Sequence, residues 1–359
     1  MNILIVGYGF AGNQYFRALD VLKQTSERLN DVAVAYYDKK DKNSFVPYFA
    51  DLNQALSQFR PDLIIVTVND AFHADILNEL SSFKGFVICE KPLANSSDNL
   101  EAIKENLKNI RGFYFNLIER YSQATQTLRA FIERNQLELV RAHFTWAKNR
   151  LNDYRPTVGV TSEIIHSLDL IQYVCPVEAN YELHQVIGSC SDFSVSGADI
   201  LDSLSITAKL NQAVVTGYSS FVNISRTREI NFIFHNPMQD IIYARMIFDT
   251  PEWDEDTLCI WKHTANGEHI FEKLLTEKKH YPHGKQAINK FVYMLGDIIN
   301  LIHGDIKPKV NLPDLQTALT LQVLLNEIER KAIVLEPIEF FPKKERQFLF
   351  TENDLEKLG

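Results

Sequence analysis

Five short apolar runs, rich in β-branched and aromatic residues, punctuate the first third of the chain: NILIV at 2–6, VAVAYY at 32–37, DLIIVTV at 62–68, FVIC at 86–89 and GFYFNL at 112–117. Between them lie segments in which apolar residues recur at helical spacing, at 10–22, 46–59, 71–81 and 98–108. Strands that are apolar at nearly every position need cover on both faces, and alternation with helices provides it. The pattern predicts a doubly wound α/β domain built on a parallel sheet over residues 1–120.

Beyond that point the rhythm changes. A helical stretch at 119–134 leads to a strand at 138–146 and a helix at 161–174. Strand patterns then follow one another at 181–188, 203–210, 213–219, 229–235, 240–248 and 256–262, before helices at 284–303 and 312–331. Successive strands without intervening helices predict an open mixed or antiparallel sheet in a separate α+β domain, residues 121–359. A chain of 359 residues is also too long for one ordinary core and suits two domains.

A net charge of −9 removes nucleic acid from the expected partners, because a phosphate footprint needs clustered Lys and Arg. The basic runs KKDK at 39–42 and PKKER at 342–346 have acidic neighbours and read as solvated surface. Four widely spaced cysteines without a C-x-x-C pair predict neither a disulfide framework nor a zinc site. The opening MNILIV lacks the charged start of a signal peptide, and no apolar stretch reaches the roughly 20 residues of a membrane span. A cytoplasmic protein that does not engage membranes is the expectation.

The first strand runs into GYGFAG, which places Gly7, Gly9 and Gly12 in G-x-G-x-x-G spacing at the start of an amphipathic helix. The first glycine permits the tight turn, the second admits a pyrophosphate to the backbone, and the third lets helix and strand close together. Phe10 and Ala11 open the helix, whose N-terminal N–H groups and dipole suit phosphates. The second strand ends at Asp38, a carboxylate able to accept both adenosine ribose hydroxyls and to repel a 2′-phosphate, which favours NAD. Its distance from the glycines exceeds the usual ~20 residues, so the connection carries a short insertion. Lys39 and Lys40 follow at once and leave NADP open.

Ligands of such sheets bind outside the carboxyl ends of the strands. The third strand ends in TVNDAFH, with Thr67, Asn69 and His73, and the fourth in CEKP, with Glu90, Lys91 and Pro92. By position alone Lys91 fits either a functional ammonium or a surface lysine, and His73 either a ligand or a helix-capping residue. GYGFAG, TVNDAFH, ICEKPLA and GFYFNLIERYSQ stand in an order and spacing that resembles the Gfo/Idh/MocA oxidoreductases, most specifically in E-K-P. The resemblance is strong to residue 121 and looser afterwards. It implies an N-terminal Rossmann domain, NAD(P)-dependent hydride transfer on sugars, cyclitols or nucleotide-linked sugars, and a homodimer or homotetramer built through the open sheet. It implies Lys91 as the acid/base that exchanges the carbinol proton, and cofactor contacts at Thr67, Asn69, His73, Glu90, Pro92 and Asn116.

In the second domain the helix at 161–174 carries Glu163, His166 and Asp169 on one face, with Thr161 or Ser162 near its N-cap. Spacing alone fits a core histidine paired with a carboxylate; the resemblance implies that His166 joins Lys91 as acid/base or binds a substrate hydroxyl. Relatives often carry Asp four residues before that histidine, where this chain has Ser162, with Glu163 beside it and 100° around the helix. Trp146 offers a face for a sugar ring, while Lys148, Arg150 and Arg155 suit a carboxylate or phosphate; a strand followed by a solvated loop fits equally. Arg120 matches a pocket position of the family or packs, and Tyr281 and His283 complete the candidates. No metal ligand set is evident. A glycoside hydrolase that oxidises its substrate transiently, and a non-catalytic NAD-binding sensor, are the alternatives.

Overall fold

The computed structural model describes residues 1–26, 29–42, 45–151, 157–175, 180–193, 200–276, 279, 287–304, 308–335 and 339. The chain divides into two compact units, one of residues 1–118 and 279–323, the other of 119–278 and 324–359.

The first unit opens with β1 (Asn2–Val6), α1 (Phe10–Thr25), β2 (Ala33–Tyr37), β3 (Tyr48–Phe49), α2 (Leu52–Gln54) and β4 (Leu63–Val66). It continues with α3 (His73–Glu79), β5 (Phe86–Cys89), α4 (Leu100–Asn106) and β6 (Gly112–Phe115). All six strands are parallel in the order β3-β2-β1-β4-β5-β6, the doubly wound arrangement with its switch point beside β1. The apolar runs make its centre: every residue of β4, and Ile3 to Val6 of β1, has no exposed surface. α1 is longer than its apolar periodicity predicts, reaching Thr25, and this extension helps to account for the long spacing between glycine loop and Asp38. The segment expected as one helix over 46–59 instead contains β3 and then a short α- and π-helical stretch.

In the second unit, α5 (Gln123–Asn135), β7 (Glu138–Asn149) and α6 (Thr161–Val174) precede β8 (Tyr181–Ser189), β9 (Ser203–Leu210) and β10 (Ala213–Ser220). β11 (Val222–His235), β12 (Ile241–Ile247), β13 (Thr257–Thr264) and β14 (Gly267–Leu275) follow. The chain then forms α7 (Asn289–Ile302), α8 (Leu315–Lys331) and β15 (Ile333–Val334). Nine strands form one mixed sheet ordered β14-β13-β12-β11-β7-β10-β9-β8-β15, parallel at β7–β10 and β8–β15 and antiparallel elsewhere. β14 is missing from the strand pattern because it lies at the sheet edge and is largely exposed, so alternation never marks it. α7 belongs to the first unit, against α1, where Phe291 meets Tyr15 edge-on at 5.0 Å. No helix among the described residues is long and apolar enough to cross a membrane.

Gly217 of β10 sits directly opposite Phe144 of β7, and a Cβ there would lie 2.3 Å from the ring. Gly217→Ala is therefore expected to lower unfolding free energy by about 1–3 kcal/mol through overpacking, measured by urea denaturation.

Candidate functional site

In the first unit, glycine stands where a side chain would collide or block. Gly7 leaves β1 at φ +96°, and a Cβ there would lie 2.6 Å from the Val68 nitrogen. At Gly12 a Cβ would come 2.3 Å from the Gly7 carbonyl oxygen. Gly9 differs: it is exposed, caps α1 without a side chain, and a Cβ there would meet nothing within 4 Å. The open space above Gly9, the N–H groups at the start of α1 and the lack of acidic residues in its first turn fit the pyrophosphate of a dinucleotide. Phe10 is exposed and Ala11 half-buried at the same helix start.

The strand tips are tied to this loop by named bonds. The Thr67 hydroxyl donates to the Gly7 carbonyl at 2.6 Å. One Asp38 carboxylate oxygen accepts the Tyr8 N–H at 2.9 Å, which orients the acid at the end of β2 beside the glycines. Asn69 accepts the Ala71 N–H at 3.1 Å and caps the turn Asp70–Phe72. His73 is buried, with Nδ1 2.6 Å from the Pro92 carbonyl oxygen and Nε2 3.1 Å from that of Val68. Its ring thus staples the tip of β4 to the turn after β5, and a neutral ring can donate to only one of the two oxygens.

Glu90 donates its N–H to the Val66 carbonyl at 3.0 Å, and its carboxylate accepts from the Asn116 side chain. The Asn116 N–H in turn reaches the Cys89 carbonyl at 2.9 Å. Tyr15 of α1 adds a phenol beneath them; burial, and then the Glu90 charge, push its pKa well above the ordinary value. Glu90 and Asn116, both expected at the cofactor, therefore engage one another. Lys91 follows, half-buried, joined to Pro92 by a cis peptide. Cys89 is fully buried behind this tip, and burial, then the Glu90 charge, raise its thiol pKa well above normal.

In the second unit α6 begins at Thr161 with Val160 at the N-cap, and the Ser162 hydroxyl turns back to the Gly159 carbonyl at 2.9 Å. Ser162 thus serves its own helix end. Glu163, buried, receives the Lys148 ammonium of β7 at 2.8 Å. Asp169 holds Arg120 through two hydrogen bonds, and the guanidinium lies 4.5 Å from the centre of the Tyr173 ring. Trp146 has no exposed surface and stacks on His166, ring centres 5.3 Å apart at 25°. Arg150 is half-buried and donates its backbone N–H to the Phe221 carbonyl at 2.7 Å. Arg155, Tyr281 and His283 lie outside the described residues.

The organising group of this unit is one the sequence pattern did not select. Arg228 of β11 pairs across the strands with Trp146, and its guanidinium lies 5.2 Å from that ring and 5.0 Å from Trp253. It is bonded to Asp249 and lies 3.5 Å from Glu119. Burial alone would lower the Arg228 pKa; Asp249, Glu119, Glu163 and Asp256 outweigh it and hold the pKa above the ordinary value. Glu119, Asp249 and Asp256 are close enough to share a cation, and a guanidinium lies against two of them. The available signal was a charge in phase with Ile230, Phe232 and Phe234 on the inward face of a strand.

Residues 1–112 match the model of an oxidoreductase family with an NAD-binding Rossmann fold, Gfo/Idh/MocA. No curated protein sequence matches the chain. Among solved structures, a UDP-N-acetylglucosamine 3-dehydrogenase from Acidithiobacillus ferrooxidans is 15% identical over 92% of this chain and 97% of its own, with a TM-score of 0.68. Levoglucosan dehydrogenase in complex with NADH and L-sorbose is 14% identical over 92% and 96%, at 0.73. A 3-ketoreductase from Actinomadura kijaniata, in complex with TDP-benzene and NADP, is 11% identical over 95% and 99%, at 0.69. At these identities the likeness is one of fold.

Two outcomes test these geometries. Gly9→Ala should leave the melting temperature unchanged, since its Cβ meets no protein atom, while weakening NAD⁺ about tenfold or more by calorimetry. Arg228→Met should cost about 3–5 kcal/mol in urea unfolding, because it strands buried carboxylates.

Proposed function

We propose that the protein is an NAD(P)-dependent dehydrogenase or reductase that moves a hydride between nicotinamide and a carbinol or ketone of a sugar, cyclitol or nucleotide-linked sugar. The observation that carries this reading is the Glu90-Lys91-Pro92 tip of β5, held by Asn116 and His73 in a domain whose glycine loop suits a dinucleotide. The L-sorbose bound by levoglucosan dehydrogenase, and the nucleotide-sugar substrate of the UDP-N-acetylglucosamine 3-dehydrogenase, support the substrate class.

Bound NAD(P) supplies the hydride acceptor or donor. Gly7, Gly9, Gly12 and the start of α1 would hold its phosphates, and Asp38 the adenosine ribose, favouring NAD. The remaining chemistry is a proton. As a carbinol loses hydride its hydroxyl must lose H⁺, and the neutral Lys91 amine takes it; in the reductive direction the ammonium returns it to the carbonyl oxygen. The fixed turn keeps the lysine's backbone from adjusting, so only the side chain has to find the hydroxyl. In the second unit His166 is the group assigned to a substrate hydroxyl, with its ring orientation set by Trp146. Arg120 and Glu163 are occupied by Asp169 and Lys148, so in this reading they shape the unit around His166.

Lys91→Ala should bind NAD⁺ within about threefold of wild type by calorimetry and lose 10²-fold or more in kcat, the usual range for an acid/base. The substrate panel is sugars, cyclitols and nucleotide sugars, read by NADH or NADPH absorbance. Retained kcat would remove Lys91 from the mechanism; turnover only of non-carbohydrate substrates would overturn the substrate class.

A further inference from the structure

Two exposed residues bridge the adenosine side of the first unit. Lys39 follows Asp38 at the end of β2, and its ammonium lies 4.4 Å from the centre of the Phe72 ring. Phe72 ends the turn after β4 and is 41% exposed, large for an aromatic side chain. In the sheet β1 lies between β2 and β4, so this contact spans the tip from which the glycine loop emerges.

Asp38 is the acid expected to face the ribose. One of its oxygens accepts the Tyr8 N–H at 2.9 Å, and the other lies 3.3 Å from the Lys40 N–H and 3.8 Å from the Lys42 ammonium. Three lysines therefore follow the carboxylate within four residues, enough cations to welcome a 2′-phosphate if one were directed at it. Lys42 is drawn to Asp38 itself, and Lys39 is drawn across to the ring.

We infer that Phe72 is a cofactor-specificity residue: by holding the Lys39 ammonium on its face, it withholds from the ribose a cation that NADP would need and leaves Asp38 to select NAD. The inference rests on the reading of the first unit as a pyridine-dinucleotide site. It makes the preference a matter of two residues from different loops, so the lysines after β2 are insufficient to read it. A cation over an exposed ring is a weak restraint, so the effect is small and specific rather than a switch.

The test is calorimetric titration of the full-length protein with NAD⁺ and, separately, NADP⁺, for wild type, Phe72→Ala, Lys39→Met and the double variant. Wild type should bind NAD⁺ more tightly. Phe72→Ala should tighten NADP⁺ about three- to fivefold with NAD⁺ changed less than about twofold, the scale of an exposed cation–π contact. The gain should vanish in the double variant. An unchanged NADP⁺-to-NAD⁺ ratio in Phe72→Ala, a gain that survives Lys39→Met, or equal weakening of both dinucleotides would each overturn the inference while leaving the dinucleotide site standing. Failure of wild type to bind either would remove the dinucleotide reading itself, and this inference with it.

Discussion

The ligand edge of the first unit is referred to a single close approach of two backbones, Gly7 against Thr67 and Val68. Because no Cβ intervenes, β1 and β4 end side by side and their carbonyls become available for side chains to grasp. Thr67 returns a hydroxyl to Gly7, His73 reaches from α3 to Val68 and Pro92, and Glu90 fixes its N–H on Val66. Each bond is worth about 0.5–1.5 kcal/mol at most in net stability. Their greater effect is positional: a continuous run of hydrogen bonds leads from the glycine loop to the peptide that carries Lys91.

The second unit solves a different problem, how to keep a charge buried. A guanidinium out of water is costly unless carboxylates and flat π-faces replace the solvent. Arg228 has both, in Asp249 and Glu119 and in the rings of Trp146 and Trp253. Trp146 then transmits that rigidity to His166 by stacking on it. The histidine is oriented less by its own helix than by a strand pair on the opposing sheet. Ion pairs between Arg120 and Asp169, and between Lys148 and Glu163, seat α6 against the turn that precedes α5 and against β7.

Much of this was legible in the residue pattern, and the reasons are physical. Fully apolar strands can only be central strands of a covered sheet, so β1, β4 and β5 announced themselves, and G-x-G-x-x-G marked the loop because only glycine fits two of its positions. α6 was legible as a helix near 161–174 because it is buried along almost its whole length, although its N-cap is Val160 and neither Thr161 nor Ser162. What stayed hidden depends on pairing across long sequence distances. Nothing local in WAKNR says that Trp146 will be sealed by Arg228, eighty-odd residues later. Nothing in VAVAYYDKK says where the Lys39 ammonium settles. β14 escaped for the opposite reason: an exposed edge strand has no buried face to imprint a period on its sequence. Glu90, Asn116 and Arg120 were selected by type and position, and each makes a hydrogen bond to a neighbouring side chain.

Cys89 gives the Glu90-Lys91-Pro92 tip a chemical consequence of its own. Thiols react with peroxides, disulfides and alkylating drugs as thiolates, and burial together with the Glu90 charge keeps this sulfur protonated. A sulfur next in sequence to the E-K-P motif is thereby made inert. Its burial also keeps this sulfur out of contact with oxidants and electrophiles in solution.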